Sequence, residues 1–160
     1  MNLLEGMHIA DLGAGTGYFL PHLSRAVGPS GRVLAVDYEP AMLRFLKKAI
    51  RDHGWANVTT LAARQDHSGL PPNSQDRVLI VNTWHHIPRR GEYARHLHSR
   101  LRNGGSVWVI DFRIDSPEGP PVVHRLPPEV VVAELTTGGF VAEIHPLRLE
   151  RQYVVVGRRR

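Results

Sequence analysis

Near its start the chain runs from an apolar strand through an acid into three glycines at alternate positions: Ile9-Ala10-Asp11-Leu12-Gly13-Ala14-Gly15-Thr16-Gly17-Tyr18-Phe19. Glycine has no Cβ to hold a ligand off and turns readily with φ > 0, so backbone here can approach a small molecule closely. An amphipathic helix begins directly afterwards. At the first strand-to-helix crossover of an alternating chain, this arrangement points to a nucleoside-containing ligand. A plain strand-to-helix turn uses the same residues, so the motif has to be weighed together with the downstream strands and their acids.

The alternation continues. Residues 8–12 form a short strand, and 18–27 read as a helix with Phe19, Leu20, Leu23, Ala26 and Val27 on one face. Pro21 falls in its first turn, where a missing N–H does no harm. Strand 32–37 again ends in an acid, Asp37, and Pro40 opens a helix whose Met42, Phe45, Leu46, Ala49 and Ile50 share a face. Residues 58–63 form a third strand, and 66–75, with Pro71-Pro72, form a loop. Residues 77–82 are a near-continuous apolar run, which fits a strand covered on both faces. A helix over 89–102 turns Tyr93, Ala94, Leu97 and Leu101 inward, and Asn103-Gly104-Gly105 caps it. Strand 106–111, an extended Pro- and Gly-rich excursion over 112–128 and a helix over 129–135 come next. The link between strands 140–145 and 152–156 is too short for a helical crossover, so they pair antiparallel. This order predicts an α/β, doubly wound, Rossmann-like sheet of seven strands, mostly parallel, with an antiparallel C-terminal edge hairpin.

At 160 residues and 42% hydrophobic, the chain suffices for one domain with a real core and is too short for two. No apolar run approaches the roughly 20 residues of a membrane span. Residues 1–6 lack a basic and an apolar leader region, so no secretory signal is read there. The absence of cysteine excludes disulfides, thiolate metal sites and cysteine nucleophiles. The net charge of +5 comes from Arg spread along the chain, apart from Arg158-Arg159-Arg160, and reads as solvated surface charge rather than a nucleic-acid face.

On these residues the chain resembles the class I S-adenosylmethionine-dependent methyltransferases, most closely the small-molecule branch related to quinone and sterol methyltransferases. Asp11-Leu12-Gly13-Ala14-Gly15-Thr16-Gly17 is similar to the family's first motif, D-x-G-x-G-x-G. Asp37 lies where the family carries its ribose-binding acid, followed by Tyr38-Glu39-Pro40-Ala41-Met42-Leu43. Asp66, Leu70-Pro71-Pro72, Asn82-Thr83-Trp84-His85-His86-Ile87 and Arg102-Asn103-Gly104-Gly105 are similar to later motifs, and the edge hairpin is a family hallmark.

The resemblance implies S-adenosyl-L-methionine as cofactor, S-adenosyl-L-homocysteine as product and a cytoplasmic enzyme. Gly13, Ala14, Gly15 and Gly17 would form the cofactor turn, with Asp11 holding that turn and the cofactor's charged amino-acid end. Asp37 would take the ribose diol, a carboxylate having two acceptor oxygens. Tyr38 would pack on adenine, Asp66 with His67 would read its amino group, and Asn82 and Thr83 would face the methionine part. Taken alone, Asp37 is also a favourable charge at a helix start, Asp66 a turn residue and Tyr38 a packing residue.

His85 and His86 are the candidate catalytic residues, because imidazole is the natural general base near neutral pH. No orienting partner is visible for either, and no third ligand lies at metal-binding spacing, so no metal is expected. Trp84 and Tyr18 fit a place near the sulfonium or in the core, and His96, His98 and His124 read as surface or helix residues. Family members carry helices before the first strand, whereas this strand starts at about residue 8. The expectation is one domain over 1–160 with cap helices short or absent, its pocket covered by the 112–128 excursion or by a homodimer.

The reaction implied is in-line methyl transfer to a small-molecule acceptor. A domain that binds the cofactor without turnover is the alternative. An RNA methyltransferase is disfavoured, because the Asn82-Thr83-Trp84-His85 segment lacks the Asn/Asp-Pro-Pro-aromatic motif of amino-group chemistry. A nicotinamide dehydrogenase is disfavoured by G-x-G-x-G in place of G-x-G-x-x-G.

Overall fold

The computed structural model describes residues 1–160. Its seven strands are β1 (His8–Leu12), β2 (Arg32–Asp37), β3 (Val58–Ala62), β4 (Gln75–Val81), β5 (Leu101–Phe112), β6 (Val141–Ile144) and β7 (Gln152–Arg158). They form one sheet in the order β3-β2-β1-β4-β5-β7-β6. The first five are parallel, and β7 runs antiparallel to both of its neighbours. The order reverses between β1 and β4, and the carboxyl ends there open a crevice, the usual ligand position in such sheets.

Four helices cover the sheet: α1 (Leu20–Val27), α2 (Pro40–His53), α3 (Arg90–Arg100) and α4 (Pro128–Thr137). Strand alternation sends Ile9, Val33, Ala35 and Leu79 to one side, where Leu20, Leu23 and Val27 of α1 and Leu46 of α2 close a core. Ala10, Leu12, Val78, Ile80, Val107 and Val109 point to the other side, against Leu97 of α3 and Leu135 of α4. The central strands are thus buried on both faces, as their continuous apolar runs require. No helix is long and apolar enough to cross a membrane.

Two stretches differ from the sequence reading. The third helix ends at Arg100, and Leu101 already pairs with Gln75 in the sheet. Asn103-Gly104-Gly105 therefore caps no helix: Gly104 N–H donates to the Arg159 carbonyl and Arg159 N–H to that of Gly105, tying this stretch to the chain's last residues. The C-terminal hairpin is antiparallel and forms the sheet edge as expected, with β7 paired to β5 and β6 outermost. The 112–128 excursion is folded back rather than extended. Arg125 gathers it, donating to the carbonyls of Pro120 (2.8 Å), Ile114 (3.1 Å) and Ser116 (2.5 Å).

Candidate active site

The glycine turn is held from β2. Gly13 and Ala14 N–H both donate to the Val36 carbonyl, at 2.8 and 3.0 Å, and Gly15 N–H donates to Asp37 Oδ2 at 2.9 Å. Glu39 N–H donates to Asp37 Oδ1 at 3.0 Å. One carboxylate thus ties the turn after β1 to the start of α2, and each of its oxygens keeps a second lone pair. Asp11, expected to hold the turn, receives no hydrogen bond from it; the Val36 carbonyl and the Asp37 carboxylate take the Gly13, Ala14 and Gly15 amides instead.

Two glycines are required by their surroundings. A Cβ on Gly13, where φ is +78°, would lie 2.3 Å from Thr83 Oγ1. One on Gly17, at φ +82°, would lie 2.8 Å from Leu20 Cδ1 and 3.1 Å from Leu46 Cδ2, so Gly17 serves close packing of the turn on α1 and α2.

The turn separates two hollows at the carboxyl ends of β1 and β4. Asp11, Ala14, Gly15, Tyr18, Asn82 and Gln152 line one. Asp37, Tyr38, Arg64, Thr83, His86 and Tyr93 line the other. Gly13 belongs to both, so a ligand extended across the turn meets Asp11 on one side and Asp37 on the other.

Asp11 is 3% exposed and its Oδ2 has no partner. Burial, with the charge of Asp37 nearby, pushes its carboxyl up to about 7. A buried acceptor without a donor, beside a backbone cradle, is suited to a cationic group.

At the end of β4, Asn82 adopts φ +52°, its N–H donates to the Ile110 carbonyl, and its Oδ1 accepts from Gln152 Nε2 at 2.6 Å. Thr83 Oγ1 donates to the Val81 carbonyl and fills the space left by Gly13. A short 3-10 turn, Trp84–His86, follows. Trp84 is a core residue, fully buried, and its indole N–H donates to Glu134 at 2.8 Å.

His85 and His86 part ways. The His85 ring is buried, and its Nδ1 lies 2.9 Å from both oxygens of Asp111 at the end of β5. His86 is exposed on the hollow that Asp37 lines. Partial burial and the neighbouring His85 lower its pKa below the usual 6.5. The two rings are 4.1 Å apart.

Asp66 and His67 sit in an exposed turn between Arg64 and Ser68 and line neither hollow; Ala63, Arg64 and Gln65 stand there instead. His67 Nδ1 accepts from Gly69 N–H, and its ring lies 4.1 Å from that of His96. His96 is no plain surface residue. It is 2.7 Å from the buried Ser68 hydroxyl, and burial lowers its pKa to about 4. His98 packs edge-on against Phe140.

The residues that sequence reasoning missed are Asp111, Gln152, Arg64, Gln65 and Tyr93. A signal for Asp111 is present: like Asp11 and Asp37 it closes an apolar strand, Val107-Trp108-Val109-Ile110-Asp111.

Comparison with known proteins agrees with this geometry. The methyltransferase domain family matches residues 9–105, from β1 to the start of β5. The chain is 32% identical over 108 residues to the ubiquinone/menaquinone biosynthesis C-methyltransferase UbiE of Hahella chejuensis, and 32% identical over 109 residues to that of Pasteurella multocida. The matched segments cover 67% and 68% of this chain but only 43% and 41% of those relatives, so the chain spans less than half of their length. Among solved structures, a SAM dependent methyltransferase from Aquifex aeolicus superposes with a TM-score of 0.91 at 24% identity, over 98% of this chain and 84% of that one. One from Mesorhizobium loti gives 0.78 at 19% identity, over 99% and 94%. These two likenesses concern the fold.

Proposed function

Since the chain belongs to the class I S-adenosylmethionine-dependent methyltransferase family, we propose that it transfers the methyl group of S-adenosyl-L-methionine to a small-molecule acceptor in the cytoplasm. The observation that carries this reading is Gly13, shared by two hollows, with the partnerless Asp11 oxygen in one and Asp37 in the other. Asp37 would take the ribose hydroxyls on its free lone pairs, with Tyr38 beside the base. Asp11, Gly15 and Asn82 would receive the amino-acid end. Asp66 and His67 would reach adenine only by a movement of their turn, and Arg64 and Gln65 are the nearer wall.

When bound, the cofactor supplies a sulfonium methyl that is already electrophilic, so the protein needs no nucleophile of its own. What the residues contribute is alignment of the two reactants and exclusion of water. Where the acceptor must shed a proton, His85 would accept it, a role that requires the bound acceptor to open a path to its buried ring. Its Nδ1–H donates to Asp111, which leaves Nε2 as the basic nitrogen and fixes the ring. His86, kept neutral at pH 7, lines the cofactor side and is a weaker candidate for that role.

Incubating the protein with S-adenosyl-L-methionine and a panel of phenols, hydroquinones and amines should release S-adenosylhomocysteine. His85→Gln should lower kcat by roughly 10²–10⁴-fold on acceptors that lose a proton, with cofactor affinity unchanged. Cofactor binding without release on any acceptor would leave a binding-only domain and overturn the proposal.

A further inference from the structure

The turn that carries His85 and His86 lies between two non-glycine residues in the left-handed region, Asn82 at φ +52° and Arg89 at φ +46°. That backbone is unfavourable for an L-residue, more so for Arg than for Asn, whose short polar side chain can bond locally. Such segments persist only where their surroundings over-determine them. Within the segment itself the restraint is slight: His86 N–H donates to the Thr83 carbonyl at 3.0 Å and Ile87 N–H to that of Trp84 at 3.1 Å. The rest comes from other elements. Asn82 is fixed by Ile110 and Gln152, and the His85 N–H and ring both meet Asp111.

Glu134 of α4 holds the remainder, and it uses both carboxylate oxygens to do so. Oε2 accepts from the Trp84 indole N–H at 2.8 Å, and Oε1 accepts from Arg90 Nε at 2.8 Å. Arg90 in turn donates to the Ile87 carbonyl at 3.3 Å. One carboxylate therefore grips the residue before His85 and, through Arg90, the residue after His86. The Glu134 and Arg90 side chains are only 18% and 25% exposed, and a charge-assisted bond shielded to that degree keeps its geometry. The clamp also adjoins the His85–Asp111 pair. Tyr153 is the cross-strand neighbour of Asp111, and its hydroxyl is buried without a partner. Burial and the charges of Asp111 and Glu134 raise the pKa of that hydroxyl, so both carboxylates act on one spot.

We propose that Glu134 is a positioning residue for the reaction. It lines neither hollow, and it acts by holding residues 84–87 so that the His85 ring stays on Asp111 and His86 stays at the wall of the hollow that Asp37 lines. Its catalytic meaning rests on the proton-acceptor role proposed for His85. The clamp itself is independent of turnover.

The test uses the full chain, isotope-labelled, with exchange of the His85 Nδ1–H proton followed by NMR; the signal is assigned by its loss in His85→Gln. Turnover and cofactor affinity are measured on the same samples. Asp111 should protect this proton in the wild type. Glu134→Ala should speed its exchange by about tenfold or more and lower kcat by about 10²-fold, with S-adenosyl-L-methionine affinity unchanged. Glu134→Gln keeps an acceptor for the Trp84 indole and gives up the charge on Arg90, so it should fall between wild type and Glu134→Ala in both readouts. It decides the matter alone if Glu134→Ala does not fold. Leu135→Val, at the buried neighbour on the same helix, should lower the melting temperature and leave both the His85 proton and kcat as they are. An unchanged His85 proton in the Glu134 variants, unchanged kcat in variants of an active enzyme, or equal losses in Leu135→Val would each overturn the proposal. A wild type that methylates no acceptor, or His85→Gln as active as wild type, would instead defeat the reading on which it rests, and proton exchange would then decide the clamp by itself.

Discussion

Asp11→Asn should make the free protein more stable and the cofactor weaker at the same time. The Asp11 carboxyl is ordinarily near 3.8 and is pushed up to about 7 in the fold by burial and by Asp37. The folded state therefore holds a proton that the unfolded state has released over that interval. By linkage, stability falls as pH rises from about 4 through about 7, and the full penalty is present above that. Three units correspond to about 4 kcal/mol, so the gain from asparagine should be of that order at about pH 8, small at about pH 4, and rising in between. Denaturant midpoints of the two proteins across this range check it. In the proposed site the same carboxylate would be the counter-charge for the cofactor's ammonium, and losing a charged hydrogen bond costs roughly 1.5–3 kcal/mol, about 10- to 150-fold in affinity. In the wild type, cofactor affinity should weaken as pH drops below about 7, because the ionised carboxylate must then be regenerated. A pH-independent stability difference between the two proteins would show that Asp11 is ionised at no unusual cost.

Gly13→Ala is the second large effect. Its Cβ would fall 2.3–2.8 Å from three atoms of Thr83, and the backbone there is at φ +78°. Thr83 cannot turn aside freely, because its hydroxyl is bonded to the Val81 carbonyl at 2.9 Å. The left-handed conformation costs roughly 1–2 kcal/mol for a non-glycine residue, and overpacking adds about 1–3 kcal/mol. Thermal and denaturant unfolding should show a loss of roughly 2–5 kcal/mol. Adding Thr83→Gly should recover the steric part and leave the conformational part. Because Gly13 borders both hollows, the single variant should also lose cofactor binding even where it stays folded.

How far the sequence reveals this molecule depends on the range of the interaction. The glycine turn, Asp37 and the element order are readable because each follows from neighbouring residues: an acid that ends a strand, glycines that turn, apolar residues at helical spacing. Asp37 does more than its local pattern announces, since it also anchors Gly15, which lies 22 positions earlier. The His85–Asp111 pair and the Asn82–Gln152 bond span 26 and 70 positions. They depend on β5 lying beside β4 and on the β5–β7 register that sets Asp111 against Tyr153, which no local pattern encodes. Asn103-Gly104-Gly105 misleads for the same reason: its glycines look like a helix cap, and only pairing with the chain's end makes them strand. The position of Asp66 after the third strand suggests an adenine contact, but the tight turn closed between Arg64 and His67 leaves it facing solvent.

The central claim is that the turn from Asp11 to Gly17, together with Asp37, is a binding site for S-adenosyl-L-methionine. Calorimetry of the wild type and Asp37→Ala with S-adenosyl-L-methionine, S-adenosylhomocysteine and NAD tests it most directly. Both methionine cofactors should bind the wild type and NAD should not, and Asp37→Ala should weaken both by about tenfold or more. Binding of NAD in place of the other two, or an Asp37→Ala protein that binds them as tightly as the wild type, would contradict the claim.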